Sequence, residues 1–263
     1  MAKVKRMLRK EAVAKKSWQK YAWLALMLLC LGVSAFSFHD QYAKYYRTLH
    51  QQDTILTDGK IEDMDKAKYT EEKIDHYSDE AAKTAQDKLK NGEIQLVGEL
   101  KIQEPYHIML PILQGMTNYN ALSGAATMKE GQHLGRGNFA LGSHSTYSPY
   151  ILFGGLSRTP IGSSIFANDV HHIYQYKVYR SELIDPNNRQ LVDDKEAKDH
   201  GTPIMTLLTC GDLHSTTRYV VQAELVDQWD ADKAPDWAIE AFNGHFSLFN
   251  RAYRNMLLPI TRI

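Results

Sequence analysis

Thr206-Leu-Leu-Thr-Cys210, followed eight residues later by Arg218-Tyr-Val-Val-Gln-Ala-Glu-Leu-Val226, decides the reading of this chain. Both runs are β-branched or apolar, and Gly211 to Thr217 separates them, so they predict two strands joined by a loop. A thiol closes the first strand and a guanidinium opens the second. Strands joined in this way bring those two ends together, so Cys210 and Arg218 can share one site. Outward from this pair, Asn138-Phe-Ala-Leu-Gly142, His172-Ile-Tyr-Gln-Tyr-Lys-Val-Tyr179 and Pro203-Ile-Met-Thr-Leu-Leu208 are further short apolar or aromatic runs. Toward the N-terminus, His107-Ile-Met-Leu-Pro-Ile-Leu113 and the alternating Ile94 to Ile102 add more. Gly, Asn, Asp, Pro and Ser clusters divide them. The pattern predicts an all-β barrel or sandwich over 94–226, and about 130 residues suffice for one such core.

The 263-residue chain has equal numbers of basic and acidic residues, 31 each, which gives no support to nucleic acid as a partner. The charge is uneven, however. Lys3, Lys5, Arg6, Arg9, Lys10, Lys15, Lys16 and Lys20 crowd residues 1–20 against Glu11 alone. Residues 21–38 then carry no charge, and at about 1.5 Å per residue they reach roughly 27 Å, close to the hydrocarbon thickness of a bilayer. Trp18, Tyr21 and Trp23 sit where an interfacial aromatic belt would be. The basic flank predicts an N-terminus in the cytoplasm and a body exported to the far side. A cleaved signal peptide is the rival reading, with Val33-Ser34-Ala35 as its small-residue site, and both export the body.

Residues 39–93 are polar, free of proline and rich in helix formers with charges at helical spacing, which predicts a solvated helical stalk. After 226 the sequence turns helical again. Asp236, behind Pro235, is a candidate cap, and Phe242, Phe246, Phe249 and Tyr253 share one helix face. Residues 227–263 are therefore expected to form a helical extension packed on the barrel.

Only two cysteines exist, Cys30 in the apolar segment and Cys210. Outside the cell Cys210 has no partner, so it is either reactive or an inert core thiol. A nucleophilic thiol needs an imidazole or a positive charge nearby, and acyl transfer needs a donor aimed at the oxyanion. Arginine suits the second role, being always charged with a fixed fork of donors. Of eleven histidines, His144 is the best candidate, because Asn138 to Gly142 delivers it at a strand end as Cys210 is delivered. His214 rivals it by proximity in sequence. His171 and His172 open a strand and point to opposite faces.

These residues carry a resemblance. The Thr-Leu-x-Thr-Cys motif at 206–210 with Arg218 is similar to that of class A sortases. Val97-Gly-Glu-Leu-Lys-Ile102, Leu110-Pro-Ile112, Gly124-Ala-Ala-Thr-Met128, Gly137 to His144 and Val220-Val-Gln-Ala-Glu-Leu225 resemble the same family in the same order. The resemblance implies an eight-stranded β-barrel and a cysteine transpeptidase of Gram-positive surfaces. It implies Cys210 as nucleophile, His144 as the imidazole and Arg218 as the oxyanion arginine, with sorting-signal contacts at Thr209 and Ser143. It gives His214 no role. The implied substrates are surface proteins with a C-terminal Leu-Pro-x-Thr-Gly signal, and the implied acceptor is the amine of a lipid II-type peptidoglycan precursor.

Some members bind calcium through loop carboxylates. Here Glu130 stands beside Lys129, and Asp193, Asp194 and Glu196 lie in a later loop, so no metal and no cofactor are expected. The sequence shows no second apolar span of the kind a pilus-polymerising sortase carries. An exported cysteine hydrolase using Cys210 and His144, and a non-catalytic surface-binding β-domain with a buried inert Cys210, are the remaining alternatives. Ser143-His144-Ser145 does not supply the Ser-His-Gly-Cys run of an L,D-transpeptidase.

Overall fold

The computed structural model describes residues 2–59, 62–74, 84, 85, 87, 88, 91–169, 171–212 and 215–242. The β-branched and aromatic runs form β1 (Leu96–Ile102), β2 (Ile108–Leu113), β3 (Ala125–Thr127) and β4 (Asn138–Gly142). They continue with β5 (Ser164–Asn168), β6 (His172–Ile184), β7 (Ile204–Cys210) and β8 (Arg218–Asp230). The strands close into a barrel in the order β1-β2-β3-β4-β7-β8-β6-β5. Closure leaves no sheet edge unpaired.

Two neighbouring pairs, β2 with β3 and β4 with β7, are parallel. A parallel pair needs a crossover rather than a hairpin. The first crossover is the short helix α2 (Asn118–Ser123), and the second carries β5, β6 and the helix α3 (Asp194–His200). Leu100, Ile102, Leu110, Ile112, Phe139 and Tyr176 are fully buried core side chains. The single hydroxyl in that group, on Tyr176, accepts the Gly135 N–H at 2.8 Å, so its burial leaves no polar atom stranded.

The barrel extends past the expected boundary at Val226, because β8 continues to Asp230 and pairs with β6 down to His172. Beyond it, α4 spans Asp236–Glu240. The cap position is Pro235, with no side-chain cap bond, and Asp236 stands in the first turn. There its carboxylate complements the helix dipole instead of capping. Ala238 and Phe242 pack with Phe166 and Ile173 of the barrel. Phe246, Phe249 and Tyr253 lie outside the described residues.

Helix α1 covers Ala2–Asp58, and within it Trp18–Asp40 is long and apolar enough to cross a membrane. The chain divides into two compact units at Arg47 and Thr48. In the second unit the stalk expectation changes. Ile55 and Leu56 on the last turns of α1 are buried against Ile94, Leu96 and Leu113. Helix ends at Asp58, and residues 62–74 run in turns and extended backbone, with Glu71 bridged to Met116. Two apolar side chains cannot form a core alone, but they can complete one that the barrel already supplies.

Candidate active site

The strand registers build the site. Gly142 of β4 pairs with Leu208 of β7, and β4 and β7 run parallel. Two residues farther along the same direction stand His144 and Cys210. Cys210 in turn pairs with Arg218 across the antiparallel β7–β8 ladder. The imidazole, the thiol and the guanidinium therefore leave three neighbouring strands at one end of the barrel.

The segment carrying His144 is fastened from both sides. Thr117 caps α2 by accepting the Asn120 N–H at 3.2 Å. The Asn120 side-chain amide donates to Gln114 and Gly115 carbonyls at 2.8 and 2.9 Å, which ties α2 to the end of β2. The Ala121 carbonyl of this anchored helix accepts the His144 N–H at 3.2 Å and the Ser143 hydroxyl at 3.2 Å. On the other side the Ser143 N–H donates to Leu208 at 3.3 Å, and the Thr209 hydroxyl donates to the Ser143 carbonyl at 2.8 Å. His144 is 9% exposed. Cys210 is half-buried, with an open side toward solvent.

Ser143 and Thr209 are the two residues expected to contact the sorting signal. Both are buried, and both hydroxyls are committed to main-chain carbonyls inside the protein. They clasp the strand end of His144 to that of Cys210, because a buried hydroxyl satisfies itself on the nearest acceptor.

The β7–β8 turn holds the other half of the site. Gly211 follows Cys210 where a Cβ would come within 2.6 Å of both Leu183 Cδ2 and Thr217 Oγ1. The Asp212 carboxylate accepts the N–H groups of Thr216 and Thr217 at 3.1 and 2.6 Å and their hydroxyls at 3.0 and 2.5 Å. Those bonds, led by the Thr217 hydroxyl, hold its carboxyl well below the usual carboxylate range. Ser215 sits in the left-handed region at φ 57°. Its hydroxyl lies 3.4 Å from Cys210 Sγ, and its carbonyl accepts Arg218 Nη1 at 2.9 Å. The same Nη1 donates to the Thr217 carbonyl at 3.0 Å.

Sequence reasoning missed Asp212 and Ser215. A signal was present in Asp212 placed just before Thr216-Thr217, a spacing at which a carboxylate can cap a turn. His214 lies outside the described residues. His172 stands at the opposite end of the barrel, between Asp169 at 3.5 Å and Asp230 at 3.6 Å. Twelve residue steps of β8 separate Asp230 from Arg218, about 40 Å along the strand.

Asp194 and Glu196 fall on α3 rather than in a loop, and their carboxylates have partners. Asp194 accepts the Asn138 N–H at 3.0 Å and Lys129 Nζ at 2.6 Å, and these two bonds hold its carboxyl below the usual range. Glu196 lies 3.9 Å from Arg180, and the Asp193 carbonyl accepts the Asn138 side chain at 3.2 Å. Among the described residues no three His, Cys, Asp or Glu side chains gather as metal ligands.

A half-buried thiol at a strand end, with an imidazole-bearing segment clasped on one side and a guanidinium paired on the other, has the parts that thiol-dependent acyl transfer requires. Comparison with known proteins shows what the chain is similar to. Residues 100–226 match the sortase domain. The chain is 28% identical over 238 residues to sortase A of Streptococcus agalactiae serotype III (strain NEM316), covering 87% of this chain and 94% of that one. It is 35% identical over 133 residues to sortase A of Bacillus anthracis, covering 50% and 60%. The crystal structure of Listeria monocytogenes sortase A superposes with a TM-score of 0.50 at 26% identity, over 57% of this chain and 98% of that one. Over residues 100–226 the chain is thus similar to the sortase domain, and over most of its length it is similar to a protein named sortase A.

Proposed function

We propose that this enzyme cleaves a Leu-Pro-x-Thr-Gly sorting signal between Thr and Gly and transfers the protein to a cell-wall precursor amine. Cys210 attacks the threonyl carbonyl as the thiolate, and the carbon–sulfur bond forms as the carbonyl pair moves onto oxygen. Arg218 donates to that oxyanion. The tetrahedral species collapses, the carbon–nitrogen bond breaks, and His144 gives its proton to the leaving glycine amine. The thioester is then attacked by the incoming amine, which loses its proton to His144. Expulsion of the Cys210 thiolate leaves a new amide and the starting enzyme.

The observation that carries this reading is the shared strand end of β4, β7 and β8, where His144, Cys210 and Arg218 emerge together. Arg218 currently donates to its own turn, so the signal carbonyl takes over part of that donor capacity on binding. In this reading residues 21–38, within the apolar stretch Trp18–Asp40, span the membrane, residues 1–20 stay in the cytoplasm and the barrel works outside.

The test uses the full chain in detergent micelles with a quenched Leu-Pro-x-Thr-Gly peptide. Cleavage with transfer to an added glycine amine, lost in Cys210→Ala, is the expected result. Hydrolysis alone at every amine concentration would replace transpeptidation with hydrolase activity. No turnover, with Cys210 resistant to a methanethiosulfonate reagent, would leave a binding domain.

A further inference from the structure

We infer that Ser215 is a further functional residue of this site, whose hydroxyl donates to the Cys210 sulfur and favours its charged, nucleophilic form. The inference rests on the proposed role of Cys210 as nucleophile. Three observations meet at this one residue. Its Oγ is 3.4 Å from Cys210 Sγ, within hydrogen-bond reach for sulfur. Its carbonyl accepts Arg218 Nη1 at 2.9 Å. Its backbone holds φ at 57°, in the left-handed region that strains a residue bearing a Cβ.

The turn is built to hold that conformation. The Ser215 N–H donates to the Asp212 carbonyl at 3.2 Å, and the Asp212 carboxylate collects four bonds from Thr216 and Thr217 immediately after it. Gly211 N–H closes the turn on the Thr217 carbonyl at 3.0 Å. With its own N–H bonded to Asp212 and Thr216 and Thr217 tied down after it, the Ser215 side chain lies against the sulfur and its carbonyl against the guanidinium. Glycine would adopt this backbone without strain, so packing and turn geometry alone do not call for serine here.

The chemistry gives the hydroxyl its role. A thiol and a hydroxyl can each donate to the other, but a thiolate can only accept. The contact is strongest when the sulfur is charged, because charge-assisted hydrogen bonds are the stronger kind. A donor fixed on the charged form shifts the balance toward it. Among the described residues the other charged or titratable groups at this strand end are Arg218 on β8, His144 beyond β4 and Asp212 in the turn, and His214 of the same turn lies outside them. All three are unchanged by substitution at Ser215, so a change in the behaviour of the thiol reports the hydroxyl.

The test is the rate of Cys210 alkylation by iodoacetamide as a function of pH. It uses the full chain in detergent micelles with Cys30→Ala, which leaves Cys210 as its single thiol. Ser215→Gly removes the hydroxyl while keeping the backbone and carbonyl unstrained, and Ser215→Ala removes it while keeping the Cβ. In both, the midpoint of the profile should rise by about half a pH unit or more, with alkylation near neutral pH slowed several-fold. A residue that only shaped the turn would change the melting temperature and leave the midpoint in place. A Ser215→Gly profile that superimposes on the parent overturns the inference. Because alkylation needs no peptide, its outcome is separate from that of the sorting-signal assay: a parent enzyme that alkylates normally but cleaves nothing overturns the proposed function instead.

Discussion

The hydroxyl of Thr209 donates to the main-chain carbonyl of Ser143 at 2.8 Å, tying the residue before the thiol to the residue before the imidazole. The bond crosses 66 residues of sequence and spans the parallel β4–β7 pair just beyond its last ladder position. It fixes the spacing of Cys210 and His144 through the backbone, without either functional side chain taking part.

Thr209→Val keeps the β-branched shape and leaves the buried Ser143 carbonyl without this donor. Unfolding stability should fall by about 1–3 kcal/mol, as an unsatisfied buried acceptor requires. Turnover should fall by roughly tenfold or more, because displacements well under 1 Å between reacting groups are costly. Thr209→Ser, which retains the donor, should recover most of both. A thermal melt and the peptide–amine assay on the three proteins check this. Wild-type turnover in Thr209→Val would show that the clasp is dispensable.

Arg218→Lys tests the guanidinium. Lysine keeps the charge but loses the planar fork, whose Nη1 meets the Ser215 and Thr217 carbonyls and whose remaining donors meet the oxyanion in the proposed mechanism. Turnover should drop by about 100-fold, the usual consequence of losing an oxyanion donor, with the melting temperature nearly unchanged. Wild-type turnover in this variant would remove Arg218 from the mechanism.

The Lys129–Asp194 pair predicts a pH effect with a definite sign. The folded Asp194 carboxyl is held below its unfolded value, first by the Asn138 N–H and then by Lys129. Its contribution is therefore complete above the unfolded carboxylate range, near pH 4, and is lost as pH falls through the lower folded value. Asp194 is 61% exposed, so the effect is screened and should stay below about 1 kcal/mol. The stability gap between the parent and Asp194→Asn should narrow as pH is lowered from neutrality to below pH 4, measured by urea unfolding. A gap that widens toward acid would reverse the assignment.

The barrel was legible in the sequence because its strands are short, β-branched and punctuated, and the Cys210–Arg218 ladder position follows from one loop between two such strands. His144 was legible for a similar reason, since Asn138 to Gly142 is a clear strand that ends just before it. What the sequence hid is tertiary. The hydroxyls of Ser143 and Thr209 face inward, and nothing in a one-dimensional pattern distinguishes a hydroxyl that clasps two strands from one that meets substrate. Ser215 has no signature at all, since its left-handed backbone is imposed by the bonds of its neighbours to Asp212. The turn of helix bearing Ile55 and Leu56 was hidden by counting apolar residues segment by segment.

That last point has its own test. If residues 39–93 were a solvated stalk, shortening an aliphatic side chain at 55 would change stability by no more than about 0.5 kcal/mol. Ile55 is instead fully buried, and it packs in one cluster with Ile94, Leu96 and Leu113. Ile55→Ala should cost about 2–4 kcal/mol, combining lost transfer energy with the cavity left behind. The loss should appear in the unfolding of the barrel itself, because Leu96 and Leu113 belong to β1 and β2. Monitoring Cys210 alkylation together with tryptophan fluorescence during urea unfolding would show both transitions moving to lower urea together. Barrel transitions that stay at the parent's urea concentration would mean that this end of α1 does not share the barrel's core.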